Sequence, residues 1–143
     1  MKSSARNYYH GAVLNVFPGS VSDEIEIVLD NSNARMTAII SSTNVKTLGL
    51  EPGKKVVVLI KAHWVILVDN SDGTKFSSRN QLPGTVVSVK ESALEAEVNL
   101  RLDCGEPMSV IVSSSSLKDM GIEAGMRLTA LFKASNVIVG IKR

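Results

Sequence analysis

Three polar motifs of this chain occur twice, and most of their side chains are hydrogen-bond donors. The motifs are an Arg-Asn pair, a serine cluster and a Lys-Ala pair, at residues 6–7 and 79–80, 41–43 and 113–116, and 61–62 and 133–134. Guanidinium, ammonium, amide and hydroxyl groups gathered without acceptors suit an oxyanion, because charge-assisted hydrogen bonds to anionic oxygen are short and about twice as strong as neutral ones. The chemistry that these motifs favour is therefore anion binding.

The same residues do not form a catalytic set. A nucleophile needs a base beside it, yet Pro83 and Ser135 stand at the second-copy positions that match His10 and His63. The single cysteine, Cys104, excludes an internal disulfide and a cysteine-based zinc site. We therefore expect no enzymatic activity, no catalytic residue and no bound metal ion.

The repeated motifs belong to two tandem copies of one small unit. A shift of 73 positions superposes the first part of each copy, and a shift of 72 superposes the rest after a one-residue gap in a polar turn. About twenty identities over roughly 56 aligned positions make chance a poor explanation. The sequence predicts a first domain at residues 1–69, a polar linker at 70–76 and a second domain at 77–143.

Each copy has the pattern of a small barrel. In the first copy, apolar or alternating runs at residues 11–17, 24–29, 36–40, 56–60 and 64–68 predict five strands, and Ser41 or Ser42 begins a short helix that Gly49 ends. Five short strands with a helix after the third is typical of the OB fold. We predict a mainly all-β protein of two OB-like five-stranded barrels, which share a buried surface or oligomerise because units of about 65 residues are marginal alone.

The charge balance limits the partners. Sixteen basic and fourteen acidic residues give a net charge of +2, which is too even for a nonspecific nucleic-acid or membrane-surface binder. An aromatic content of 4% leaves few rings for stacking bases. The first residues lack the apolar stretch of a signal peptide, and no run has the length of about 20 residues that crosses a bilayer. We expect a cytoplasmic protein without membrane or nucleic-acid partners.

Structural roles compete with the ligand roles. Serines that precede a helix are mainly N-caps, and an Arg-Asn pair before a strand is commonly a solvated turn. Lys61 and Lys133 could protect edge strands from aggregation. Recurrence of the motifs at matching places is what favours binding.

Four stretches resemble the Mop domain of the molbindins, namely SARN at 4–7, RNQLPGTVVSVKESALEAEV at 79–98, GIEAG at 121–125 and KASNVIV at 133–139. With two copies, the chain resembles a di-Mop molbindin, a cytoplasmic molybdate-binding protein. The resemblance implies an OB-like fold for each copy, a homotrimer, and molybdate or tungstate held between neighbouring domains for storage and homeostasis. The family is also named for molybdopterin, which leaves a pterin ligand as a lesser alternative.

The resemblance also implies the site residues. In the first copy the predicted molybdate-binding residues are Ser4, Ala5, Arg6, Asn7, Lys61, Ala62 and His63, and in the second copy they are Ser77, Ser78, Arg79, Asn80, Lys133, Ala134 and Ser135. His63 departs from the serine of the family motif, which leaves open whether the first copy keeps its site.

A second type of oxyanion site is implied among the turns after the first strand and the serine clusters, at Gly19, Ser20, Val21, Ser41, Ser92, Ala93, Leu94 and Ser113. Two other functions stay open, an OB-type nucleic-acid module and the ligand-sensing subunit of a molybdate transporter or regulator. Neither a P-loop nor a helix-turn-helix segment occurs in the sequence, so a sensor would need a separate partner chain.

Overall fold

The computed structural model describes residues 1–142, which form ten strands and two α-helices. The strands of the first copy are β1 (Asn7–Phe17), β2 (Ser22–Leu29), β3 (Arg35–Ser41), β4 (Lys55–Ile60) and β5 (Ile66–Val68). Those of the second copy are β6 (Asn80–Glu91), β7 (Glu95–Leu102), β8 (Pro107–Ser113), β9 (Arg127–Phe132) and β10 (Ile138–Gly140). The helices are α1 (Ser42–Leu48) and α2 (Ser114–Met120). The predicted mainly-β, OB-like class with one helix in each copy is confirmed.

The two copies exchange their last strands. One sheet has the order β10-β4-β1-β2-β3 and the other β5-β9-β6-β7-β8, so each takes its fifth strand from the other copy. The exchanged strands pair in matching register, Ile138 opposite Leu59 and Ile66 opposite Leu131. The sequence predicted that each copy supplies all five strands of its own sheet. The number of strands is confirmed, but their assignment to one copy is wrong. Because β5 and β10 present the same pattern of apolar residues to equivalent partners, the sequence does not reveal which sheet each strand joins.

The fifth strands also begin later than expected. Residues Ala62–Trp64 and Ala134–Asn136 each form a single 3-10 turn, which carries the chain from one sheet to the other before β5 or β10 begins. Ala62 and Ala134 are buried at these crossings. Small side chains are therefore needed at the points where the lysine motifs change sheets.

The first strand of each copy is bent by a β-bulge. The register shifts between Val13 and Asn15 in β1 and between Val86 and Ser88 in β6, and a bulge of this kind increases the local twist and lets a sheet curl. Gly11 lies in the crowded part of β1, where an added Cβ would meet the carbonyl oxygen of Val28 at 2.6 Å. A side chain there would push the two strands apart.

The helix boundaries follow from their caps. Ser41 accepts a hydrogen bond from the Asn44 N–H through its side chain, and Gly49 ends α1 with φ of 65°. Ser113 and Gly121 do the same for α2. The left-handed backbone at a helix end favours glycine, so the predicted start and end of the helix are both confirmed.

One hydrophobic core joins the two copies. Buried residues of both sheets form a single cluster that includes Ile25, Val58, Val98 and Phe132. Tyr9 crosses between the copies, because its hydroxyl donates to the Pro107 carbonyl at 2.6 Å. Burial is the main reason that the pKa of this phenol is raised above its usual value. The expected shared surface is present, and it fixes the sheets relative to each other.

Candidate anion-binding site

Two second-copy motifs meet at one open cavity of about 640 Å³. Residues 77–79 lead into β6, and Lys133 follows β9 at the start of the 3-10 turn. Because Asn80 of β6 lies opposite Phe132 of β9, the residues just outside this pair are brought together at the sheet end. Ser77, Ser78, Arg79, Lys133, Ala134 and Ser135 all line the cavity. The structure therefore brings together six of the seven residues predicted for the second copy.

The hydrogen-bond donors of this cavity differ in exposure and in whether the protein itself already occupies them. Lys133 and Ser135 are exposed, and Ala134 is buried beneath them. The Ser78 hydroxyl is within hydrogen-bond distance of the Asn80 and Phe132 carbonyl oxygens, at 2.9 and 3.2 Å. The ammonium of Lys133 and the hydroxyl of Ser135 are thus better placed to reach a ligand than the hydroxyl of Ser78.

Both predicted arginines form ion pairs with the other copy. Arg79 Nη2 lies 2.9 Å from Glu24 Oε1 on β2, and Arg6 Nη1 donates to Glu97 Oε1 on β7 at 2.8 Å. The two glutamates occupy matching positions of the two copies. Each guanidinium therefore lies beside a carboxylate. An anion bound at the guanidinium would either displace that carboxylate or be repelled by its charge.

The predicted asparagines have a structural role. Asn7 and Asn80 are 2% and 3% exposed, and their amides bond to the backbone of the other copy. Asn80 pairs with Thr37 on β3, and Asn7 pairs with Ser109 on β8. Because each amide donates and accepts one bond to the backbone, these residues join the copies. A ligand role for them stays a prediction.

The lysine motif of the first copy is arranged differently. Lys61 Nζ lies 5.5 Å from the centre of the Trp64 ring, which favours a cation–π contact. His63 Nε2 is 3.4 Å from Glu95 Oε1. After the strand exchange, His63 and Trp64 line the same cavity as Lys133. His63 thus lies at the second-copy cavity, while Ser4 and Ala5 precede β1 near Arg6.

The segments predicted to form a second type of oxyanion site contact each other in each copy, and a ligand role for them stays a prediction. Val21 accepts a hydrogen bond from the Ser42 N–H, and Leu94 accepts one from the Ser114 N–H, so the turn after the first strand touches the helix start in both. The side chains of Ser41 and Ser113 cap the helices. The Ser92 hydroxyl donates to the Glu95 carbonyl at 2.8 Å. Ser20, Val21, Ala93 and Leu94 are exposed at the turn tips.

An internal carboxylate already occupies this junction in the first copy. Asp23 Oδ1 accepts from the Ser42 hydroxyl at 2.6 Å and from the Gly19 N–H at 3.1 Å. These bonds, the serine hydroxyl first, lower the pKa of Asp23 below its ordinary value. Ala96 stands at the matching position of the second copy. An anion in the first copy would meet a carboxylate there, whereas the second copy has none at that position.

Several cavity residues were not predicted from the sequence. Ile39, Ile66 and Phe76 line the cavity with Trp64, and Glu24 pairs with its arginine. Glu24 recurs as Glu97 in the repeat, but recurrence alone does not indicate that these glutamates pair with the arginines. The apolar lining had no signal, because it depends on the strand exchange.

Two further findings concern the described residues as a whole. Within residues 1–142, no three His, Cys, Asp or Glu side chains are grouped so that they could hold a metal ion. Neither α-helix of that part of the chain is long and apolar enough to span a membrane.

Comparison with known proteins identifies the repeated unit. The family model of the TOBE domain matches residues 3–67 and 77–139, which together make up most of the chain. The chain belongs to the TOBE-domain family. The two matches fall on the two sequence copies, so the tandem Mop-like repeat predicted from the sequence is confirmed.

Relatives of this TOBE-domain chain are named for molybdenum. It is 36% identical over 141 residues to the molybdenum transport protein ModE of Azotobacter vinelandii, covering 99% of this chain and 52% of ModE. It is 33% identical over 141 residues to the molybdenum-pterin-binding protein MopA of Rhodobacter capsulatus, covering 99% and 53%. The chain thus spans about half the length of these curated relatives. Their names describe a molybdenum transport protein and a molybdenum-pterin-binding protein.

A solved structure matches the TOBE-domain chain over its whole length. The cytoplasmic molybdate-binding protein ModG, crystallised with molybdate bound, superposes with a TM-score of 0.93 at 37% identity. The match covers 99% of this chain and 100% of ModG. The tandem arrangement of two five-stranded units is therefore shared with a protein that binds molybdate.

Proposed function

We propose that this chain binds molybdate or tungstate and does not turn it over. The observation that carries the proposal is that the Arg79 and Lys133 motifs line one cavity together with the exposed residue Ser135. The ModG match, with molybdate bound in that protein, supports the choice of anion. A tetrahedral dianion needs several donors held in place, and the ends of two paired strands supply a rigid frame for them.

The apolar wall of the cavity supports binding in an assembly. Trp64 is 40% exposed, Ile66 62% and Ile138 50%, and Trp64 and Ile66 line the cavity. Apolar side chains that cluster at a rim of polar groups mark an interaction surface. We propose that further copies of this chain cover them, as a homotrimer, and that the cover excludes water and strengthens the charge contacts.

The proposed biological role is storage and homeostasis of molybdate in the cytoplasm. A noncatalytic anion site supports this role, because the donor motifs come without a paired nucleophile and base. The same cavity could accept a pterin, since its wall contains Trp64 and Phe76. Direct binding measurements with each ligand separate these alternatives.

Calorimetric titration of the purified oligomer with molybdate tests the proposal. Lys133→Ala removes an ammonium from the cavity and is expected to cost about 2 to 4 kcal/mol of affinity at that site. Lys55→Ala, which alters an exposed lysine at the start of β4 that pairs with Asp30, is the matched control and is expected to bind as the unaltered protein does. Wild-type affinity and stoichiometry in the Lys133 variant would contradict the assignment. Sulfate competition in the same titration reports whether the pocket discriminates by ion size.

A second candidate function is a sensor within a molybdate regulator or transporter. The observation in its favour is the 36% identity to a ModE that is about twice as long as the match. DNA binding by the chain, followed by fluorescence anisotropy with and without molybdate, tests both this candidate and an OB-type nucleic-acid module. We expect no binding at physiological salt, because the net charge of +2 supplies little attraction to phosphate.

A further inference from the structure

The two arginine–glutamate pairs are equivalent contacts across the boundary between the copies. Arg79 reaches Glu24 of the first copy, and Arg6 reaches Glu97 of the second, at 2.9 and 2.8 Å. In both pairs the glutamate is the less exposed member, with Glu24 at 26% beside Arg79 at 61%. The carboxylate is therefore the fixed partner, and the guanidinium is the one with room to move.

The carboxylate is not needed to position the arginine segment. Asn80, the next residue, is held on Thr37 by two hydrogen bonds of 2.8 Å, and Asn7 is held on Ser109 in the same way. These buried clamps fix the backbone beside each arginine. The glutamate places a negative charge beside the guanidinium. This charge lies at the edge of the cavity that Lys133 also lines.

We propose that Glu24 and Glu97 set the affinity of the anion sites by competing with the ligand for Arg79 and Arg6. This inference rests on the proposed function, because it requires an anion at these arginines. A dianion that approaches the guanidinium is repelled by the glutamate, whose carboxylate also neutralises the positive charge that would attract the ligand. Since each glutamate belongs to the other copy, each copy tunes the site that the other copy's arginine serves.

The competition makes the sites weaker than their donors allow. A lower affinity suits a protein that has to release its anion. When the association rate is unchanged, a loss of affinity shortens the lifetime of the complex by the same factor. The ion pair also neutralises an exposed guanidinium and a half-buried carboxylate when no ligand is bound. A surface pair of this kind contributes little to stability, so its replacement should leave the fold intact.

Titration of the full chain with molybdate tests the inference. Glu24→Gln removes the charge and keeps the shape, and we expect about tenfold tighter binding at the Arg79 site with little change in melting temperature. Glu26→Gln is the matched control, since Glu26 lies two residues away on β2 with similar exposure and contacts Asn15 and Arg35 instead. We expect it to change the affinity by about twofold or less.

A double variant shows whether the arginine mediates the effect. In an Arg79→Met background, Glu24→Gln should give little further gain, because the group for which the two anions compete is gone. A full gain in that background, or unchanged or weaker binding in Glu24→Gln alone, would overturn the competition. Failure of the unaltered protein to bind molybdate would instead count against the proposed function, so the two failures are distinct.

Discussion

Asn80 exchanges two hydrogen bonds with the backbone of Thr37, one in each direction and each 2.8 Å long. The Thr37 N–H donates to Oδ1, and Nδ2 donates to the Thr37 carbonyl. A side-chain amide thereby takes the place of another strand at this point of β3. Asn7 and Ser109 form the same pair of hydrogen bonds at the equivalent position. The backbone of the arginine beside each asparagine is therefore held at the boundary between the copies.

Replacement of Asn80 by alanine is expected to lower the free energy of unfolding by about 2 to 4 kcal/mol, because it removes the partner of both the N–H and the carbonyl of the half-buried Thr37. Urea denaturation followed by circular dichroism measures the change. Asn15→Ala is the control, since Asn15 is exposed and its side-chain amide donates to the Glu26 carboxylate at the surface, and we expect it to cost less than about 0.5 kcal/mol. Equal losses in the two variants would contradict a clamp role for Asn80.

Assembly should depend on the exposed apolar residues of the exchanged strands. Ile66→Lys and Ile138→Lys place a charge on residues that are 62% and 50% exposed in one chain, so they should spare the fold and weaken contacts between chains. Light scattering of the unaltered protein should give about three times the chain mass of 15.3 kDa, and both variants should shift it toward one chain. Val87→Lys, an exposed valine outside the cavity, should leave the assembly unchanged.

Acid should weaken the first copy through Asp23. Hydrogen bonds from Ser42 and Gly19 lower the pKa of this carboxyl in the folded state, so the folded chain binds fewer protons there than the unfolded chain does. The stability that Asp23 contributes is therefore present above its unfolded pKa of about 3.9 and is lost as the pH falls through the lower folded value. Asp23→Asn should be less stable than the unaltered protein at pH 7, and the difference should shrink below about pH 4. A difference independent of pH would show that the charge of Asp23 does not matter.

Local features of this fold could be predicted from the sequence because they depend on neighbouring residues. The caps at Ser41 and Gly49 act within one helix, and the alternation in β2 reflects one buried face of one strand. Because the two copies share one pattern, a prediction made for one copy also applies to the other. The number of strands, the helix ends and a shared buried surface could be predicted in this way, although β1 begins at Asn7 instead of Gly11 and β5 at Ile66 instead of Trp64.

Contacts between the copies could not be predicted from the sequence. The fifth strands are interchangeable in pattern, since Ile66 and Ile138 face equivalent leucines, and the choice between them depends on the path of the 3-10 turns. The partner of Arg79 on β2 follows from that packing. For the same reason His63, read from sequence as part of the first-copy site, lies at the second-copy cavity.

The two lysines should differ in their effect on ligand-dependent stability. A ligand that binds only the folded protein stabilises it by about 2.7 kcal/mol per site at a hundredfold excess over Kd, so molybdate and tungstate should raise the melting temperature far more than chloride at equal ionic strength. Lys133 and Ser135 line the cavity together. Lys61, in contrast, lies over the Trp64 ring, and the first copy has His63 where the second copy has Ser135.

Lys133→Ala should therefore lose more of the molybdate-dependent shift than Lys61→Ala, and the double variant should lose most of it while keeping its fold, because both side chains are exposed. Differential scanning calorimetry with molybdate and with chloride measures the shift for all four proteins. Equal losses in the two single variants would mean that the first-copy lysine serves a site as effective as the second. If molybdate and chloride act alike on the unaltered protein, the lysines are edge charges that protect the ends of β4 and β9 from aggregation.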